Sequence, residues 1–218
     1  MGKVQEHGVV SEQMLYLVRH AQSVFNAEGR MQGHADPPLS SLGEAQTACL
    51  LQYFQEMPVH RVYSSPLMRA TQTAGPLAAS LGLKPELWPD LVELNVGVFS
   101  GLTLQEQKEK HPDLWYQWRH AGPGFALPGG ESRLVLRKRA RRVWHALLRS
   151  SLTSHEERVV VVSHGGFLGA LLSVALDLPA RRMAPFTFFN AAVTQLRFGR
   201  DAVRLLRMND TSHLLSLL

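Results

Sequence analysis

The sequence predicts an α/β fold of three layers, with helices on both faces of a mainly parallel sheet. Three observations predict it. Short, almost wholly apolar runs, MLYLVR (14–19) and RVVVVS (158–163), read as strands buried on both faces. Segments of helical spacing alternate with such strands along the chain. Late in the chain, AVTQLRF (192–198) and AVRLLRM (202–208) flank Gly199–Asp201 and read as a hairpin that adds antiparallel edge strands. The 218 residues are long enough to bury a core without staples, and 1–218 is expected to form a single domain.

The elements follow in order. Residues 1–12 are polar and expected to be flexible. After the first strand, 20–39 carries Gly29, Gly33, Pro37 and Pro38 and reads as a loop. Ser40 can cap a helix through Met57, with Leu42, Ala45, Cys49 and Tyr53 near helical spacing. RVYSS (61–65) is a strand, Pro66 suits a first helical turn, and Gly82 closes that helix. A short strand near Glu86–Trp88 precedes a turn-rich stretch after Glu93. Residues 103–120 read as helix broken at Pro112, and 121–131 as a glycine- and proline-rich loop. A helix spans 132–151, with an apolar stripe of Leu136, Ala140, Val143 and Leu147 and basic residues on its other faces. An apolar helix spans Gly165 to Leu178. No internal repeat or low-complexity tract interrupts this order.

Composition excludes several classes. An apolar fraction of 45% is incompatible with a disordered chain. The longest apolar stretch, Phe167 to Leu176, falls short of a membrane span, and the N-terminus lacks the basic start and apolar stretch of a signal peptide. The single cysteine, Cys49, excludes an internal disulfide and a cysteine-cluster zinc site, so a cytoplasmic location is expected. The net charge of +5 is local. Seven basic residues and no acid lie between Arg133 and Arg149, while the rest of the chain is slightly acidic. That helix could bind nucleic acid. Its stripe is better explained by core packing, and its charge by solvated faces or attraction of anionic substrates, so no nucleic-acid partner is expected.

In open α/β sheets ligands sit beyond the C-terminal ends of the strands. Two strands here end in histidine: LYLVRHA places Arg19 and His20 there, and VVVVSHGG places His164. Gly165 and Gly166 let backbone N–H groups approach a ligand and open a helix whose N-terminus favours an anion. After the strand RVYSS, PLMRATQTA puts Arg69 on a first helical turn at the same edge. One such histidine is more often structural; the repetition carries the signal. Two arginines and two histidines around one spot call for an anion, and the planar donor fork of arginine matches phosphate. Phosphate-ester chemistry then needs a nucleophile, shielding of the phosphoryl oxygens and a proton donor. Neutral imidazole can attack phosphorus. The donor should be a carboxylic acid, and the residues leave Asp90 and Glu93 open.

Five segments, LYLVRHAQSVFNAEGRMQGHADPPLSSLGEAQ (15–46), VYSSPLMRATQTA (62–74), LVELNVGVFSGLT (91–103), PGGES (128–132) and VVVSHGG (160–166), together resemble the histidine phosphatase superfamily, in its phosphoglycerate mutase-like branch. The resemblance implies that fold and an enzyme that hydrolyses small phosphomonoesters without metal or other cofactor. It implies His20 as the nucleophile that becomes phosphohistidine, Arg19, Arg69 and His164 as binders of the transferring group, and Glu93 as the proton donor. Asn26 matches a phosphate contact, with Gln32 and the Gly165 amide as further donors. Ala21 stands where the family usually has glycine, Ser23 and Ser40 where threonine is common, and Ser100 in the place of a frequent second glutamate. The last departure removes a secondary acid and leaves Glu93 untouched.

Family mutases carry an ERHYG-like stretch after the acid and a longer insertion before the PGGES-like loop. Here Leu94-Asn95-Val96-Gly97 follows Glu93, and Pro128 comes soon after, which resembles the phosphatase branch. A cofactor-dependent phosphoglycerate mutase is the alternative, and a non-catalytic phosphate-binding regulatory module a second one. Phe99, Trp115, Tyr116, Trp118 and Phe125, with His111, Arg119 and His120, offer a partly aromatic substrate pocket or ordinary helix packing, the latter favoured for any single residue. No membrane partner is expected, and the C-terminal Leu214–Leu218 can pack on the body or on a second subunit of a homodimer. His213 fits the family's tail pattern and receives no role from it.

Overall fold

A computed structural model describes residues 13–151, 157–180, 186–199 and 202–217. Residues 1–12, expected to be flexible, lie outside the described residues. The sheet has six strands: β1 (Gln13–Arg19), β2 (Arg61–Ser64), β3 (Glu86–Leu87), β4 (Arg158–Ser163), β5 (Val193–Phe198) and β6 (Val203–Asp210), in the order β3-β2-β4-β1-β5-β6. Pairs β2–β3, β2–β4 and β1–β4 are parallel; β1–β5 and β5–β6 are antiparallel. The late hairpin therefore extends the sheet beside β1 and leaves β6 at the edge.

Alternation along the central strands explains why both faces are covered. Leu15, Leu17, Val159 and Val161 face one core; Tyr16, Val18, Val160 and Val162 face the other. Helices α6 (Arg133–Ser151) and α7 (Gly165–Ala175) close the first through Leu136, Ala140, Val143, Leu147, Phe167 and Leu171. Helices α2 (Ser41–Phe54) and α3 (Met68–Ser80) close the second through Leu50, Phe54, Ala70, Ala74 and Leu77. Each fully buried aliphatic side chain contributes about 1.5–3 kcal/mol relative to exposure. The central strand tips are therefore held by a two-sided core.

Some boundaries differ from expectation. The loop 20–39 contains a four-residue helix, α1 (Val24–Ala27), because Ser23 and Asn26 form a capping box. Ser40 does cap α2, accepting from the Gly43 N–H, and that helix ends at Phe54. Residues 103–120 form two helices, α4 (Leu104–Lys110) and α5 (Pro112–His120), because Pro112 starts a new first turn. The apolar helix stops at Ala175, and Asp177 then adopts a left-handed conformation.

The basic helix also differs. Arg137 and Arg139 are buried, and both donate to carbonyls outside the helix. Their stems and guanidinium groups belong to the packed face, so the charge count overstated the solvated one.

The aromatics of the variable segment resolve toward packing. Phe99 is fully buried in a small core with Val96 and Leu127, against which Trp115, Trp118 and Phe125 pack. Tyr116 is exposed and stacks on His120.

Candidate active site

The register of the parallel strands builds the site. Arg19 pairs with Ser163 across β1–β4, and Ser64 with Val162 across β2–β4. The next residue of each strand, His20, His164 and Ser65, therefore emerges at one edge. The pairing runs one step beyond the strands, with His20 N–H donating to Ser163 O at 2.8 Å and Ser65 N–H to Val162 O at 3.0 Å.

His20 is buried, and its protonation pattern is fixed by two contacts. Nδ1 lies 2.7 Å from Ala21 O, which can only accept, so Nδ1 carries the proton. The Arg69 Nε–H donates to His20 Nε2 at 3.3 Å, which marks Nε2 as the lone-pair nitrogen. Burial, with Arg19 and Arg69 adding their charge, holds this imidazole well below the usual histidine value, against an opposing pull from the Ala21 carbonyl.

Arg69 is fully buried on the first turn of α3. Its two terminal nitrogens donate to Ala35 O at 2.8 Å and Gly33 O at 2.9 Å. Burial pulls it down to about 10, with Glu93 and Asp36 opposing, so it stays cationic at neutral pH. Gly33 accepts this bond from a left-handed turn, where a Cβ would stand 2.6 Å from the Val96 side chain.

Arg19 donates Nη1–H to Phe188 O at 2.6 Å, and its buried Nε has no partner among the described residues. His164 bonds Ser65 Oγ through Nε2 at 2.7 Å, and its buried Nδ1 likewise lacks a partner among the described residues. The two imidazole rings lie 5.0 Å apart, centre to centre. Burial and the neighbouring His20 and arginines push His164 well below the usual histidine value. Unsatisfied buried polar atoms are rare in folded proteins, and two beside one cluster of cations suit the binding of an anion.

Asn26 and Gln32 share a network built by Ser23. Ser23 Oγ lies 2.8 Å from Gln32 Oε1, and Asn26 Oδ1 accepts from Ser23 N–H and from Asn190 Nδ2. Both oxygens are engaged, and each amide nitrogen is left without a hydrogen bond among the described residues. The Gly165 N–H also donates to no group among the described residues.

Glu93 lies at the start of α7. Its Oε1 accepts from Leu94 N–H at 2.8 Å and Phe167 N–H at 2.9 Å, and its Oε2 from Gly166 N–H at 2.9 Å. The Gly166 amide, expected to face a ligand, thus serves the carboxylate. Both Arg19 and Arg69 feel the Glu93 charge. Asp90 instead makes a two-pronged pair with Arg142 at the surface, at 2.7 and 2.9 Å. Of the two acids, Glu93 thus lies against the α7 N-terminus beside the cluster and Asp90 lies at the surface.

Several contributors were not singled out in the sequence. Arg139 donates to the carbonyls of Asp90, Val92 and Glu93 and pairs with Glu131 at 2.6 Å, fixing the stretch that carries Glu93. His34 donates to Glu93 O at 2.9 Å. Ser65, Phe188 and Asn190 act on His164, Arg19 and His20. For Ser65 a signal existed, since it too ends a strand at this edge. Phe188 acts through its backbone, which no side-chain pattern reveals.

The description "Histidine phosphatase superfamily (branch 1)" matches residues 15–211. The chain belongs to that superfamily. Among its relatives, "Phosphoserine phosphatase 1" of Hydrogenobacter thermophilus is 31% identical over 201 residues, covering 92% of this chain and 93% of the relative. "Probable phosphoglycerate mutase GpmB" of Escherichia fergusonii is 33% identical over 185 residues, covering 84% of each chain. A solved mycobacterial glucosyl-3-phosphoglycerate phosphatase in complex with VO3 superposes with a TM-score of 0.82 at 32% identity, covering 91% of this chain and 99% of that one. Histidine phosphatases thus share both the sequence and the fold of this chain. Among its described residues no helix is long and apolar enough to cross a membrane.

Proposed function

We propose that this histidine phosphatase hydrolyses small phosphomonoesters through a covalent phosphohistidine on His20. The observation that carries the reading is the tautomer lock: Nδ1–H is spent on Ala21 O, which leaves the Nε2 lone pair among buried cationic donors. In the first step Nε2 attacks phosphorus, an N–P bond forms, and the ester P–O bond breaks. The leaving oxygen takes a proton from the Glu93 carboxyl. Arg19, Arg69 and His164, with Asn26, Gln32 and the Gly165 amide, hold the three phosphoryl oxygens as charge redistributes. Water then attacks phosphorus, Glu93 takes its proton, the N–P bond breaks, and phosphate departs. Charge shielding comes from side chains in this scheme, so it needs no metal or cofactor, and turnover in excess chelator checks that.

Rapid quenching during turnover of a labelled ester tests the mechanism. Acid-labile, base-stable label on His20, absent in His20→Ala, is expected. Label on another residue of an active preparation overturns it.

Mutase activity is the competing reading, favoured by the similarity to a relative carrying that name. Interconversion of 2- and 3-phosphoglycerate faster than phosphate release decides for it. The names phosphoserine and glucosyl-3-phosphoglycerate both denote phosphate esters of small carboxylic acids, so such esters head the panel for substrate ranking. Inactivity of the wild type across that panel supports the binding-module alternative.

The same reading takes residues 1–218 as one domain acting in the cytoplasm, without nucleic acid. Burial of Arg137 and Arg139 and the pairing of Arg142 with Asp90 support the last point. Light scattering measures whether it forms a homodimer.

A further inference from the structure

The turn 188–191 is held from two sides. Toward the site, Phe188 O accepts from Arg19 at 2.6 Å, and Asn190 Nδ2 lies 3.1 Å from both His20 O and Asn26 Oδ1. The Ala191 N–H lies within hydrogen-bonding distance of Arg19 O and His20 O. Ala191 has a φ of 56°, a left-handed conformation that an L-residue with a Cβ disfavours, so the turn keeps its shape only while its surroundings enforce it.

From behind, two residues of the C-terminal stretch provide that enforcement. Asn209 Oδ1 accepts from Phe189 N–H at 2.8 Å. His213 lies with Nε2 3.0 Å from Ala191 O. A carbonyl only accepts, so Nε2 is the donor. The His213 ring rests on Tyr53 of α2, 4.9 Å between centres, and Tyr53 OH lies 3.3 Å from Asp210 Oδ2. The histidine therefore bears on a braced surface.

We infer that Asn209 and His213 are positioning residues for phosphate binding: through the 188–191 turn they set the orientation of Arg19 and of the Asn26 amide. Neither is placed among the groups that touch phosphate. The inference rests on the proposed phosphate site, and it is tested by a measurement that does not require turnover.

Inorganic phosphate binding to the full chain is measured by calorimetry for the wild type, His213→Ala, His213→Gln and Asn209→Gly, with thermal unfolding of each recorded alongside. Glutamine can present an N–H near the position of Nε2, and glycine keeps the left-handed backbone of Asn209 while removing its oxygen. His213→Ala and Asn209→Gly are expected to weaken phosphate binding about tenfold, and His213→Gln to restore most of it. With p-nitrophenyl phosphate, KM is expected to rise in step. Affinity within twofold of wild type in His213→Ala overturns the inference, as does His213→Gln binding as weakly as His213→Ala. A wild type that binds phosphate but turns over no ester overturns the hydrolytic reading alone.

Discussion

Replacing Gly166 with alanine displaces the proposed proton donor while leaving the nucleophile in place. A Cβ built on Gly166 stands 2.5 Å from Glu93 Oε1, 3.2 Å from Cδ and 3.3 Å from Oε2. Ordinary contact begins near 3.4 Å, so the carboxylate must retreat by about 0.9 Å. It is the end of a flexible side chain and can do so, at the expense of bonds from Gly166 and Phe167 N–H. A misplacement of about 1 Å costs roughly 100-fold in rate. Gly166 is exposed, so water can replace the lost acceptor, and alanine gains up to about 1 kcal/mol in helix propensity. Folding stability should therefore change by less than about 2 kcal/mol. The assay compares kcat/KM for an alkyl phosphate and for p-nitrophenyl phosphate, alongside urea unfolding. An alkoxide needs the proton to leave, whereas p-nitrophenolate leaves without it. The alkyl ester should lose about 100-fold in kcat/KM and the aryl ester far less. Equal losses for both esters, or none for the alkyl ester, would refute the placement of Glu93 as the acid.

Two further outcomes follow from the same groups. Arg69→Lys should lower kcat by about 100- to 1,000-fold, because a lysine cannot reproduce the planar fork that serves Gly33 O, Ala35 O and the phosphoryl group together. Steady-state rates within fivefold of wild type would contradict that. Stability should also depend on pH in a defined direction. His20 and His164 are held neutral when folded, by burial first and by neighbouring charge second, and regain a value near 6.5 when unfolded. Below pH 6.5 the unfolded chain binds more protons than the folded one, so stability drops as the pH is lowered, by up to about 1.4 kcal/mol per pH unit for each histidine; above 6.5 their contribution is level. Urea midpoints from pH 7.5 to 5 for wild type and His164→Asn check this, and an unchanged slope in the variant contradicts it.

The strand tips were legible because a strand covered on both faces shows as an unbroken apolar run, and such a run makes its first polar residue conspicuous. That logic located Arg19, His20 and His164. It could not separate Asp90 from Glu93, because the difference lies in which helix end meets which carboxylate, and no local pattern encodes that. Arg139 was hidden for the opposite reason. It sits among six other cations on one helix, and only the packing of α6 against 90–93 shows that its guanidinium serves backbone carbonyls there as well as Glu131. Asn190 was invisible for a third: its partners lie 164 and 170 residues away.

The small core of Val96, Phe99 and Leu127 stands apart from the two that clamp the sheet. None of the hydrogen bonds described above for His20, Arg19, Arg69, His164 or Glu93 comes from residues 98–127. Within it, 101–102 bonds Met31 beside the Gly33 turn and must keep its shape, whereas helix α5 buries no residue fully and can be redecorated, by natural drift or at the bench, without touching those bonds. One reaction centre can thereby be inherited unchanged by descendants that differ in what they admit.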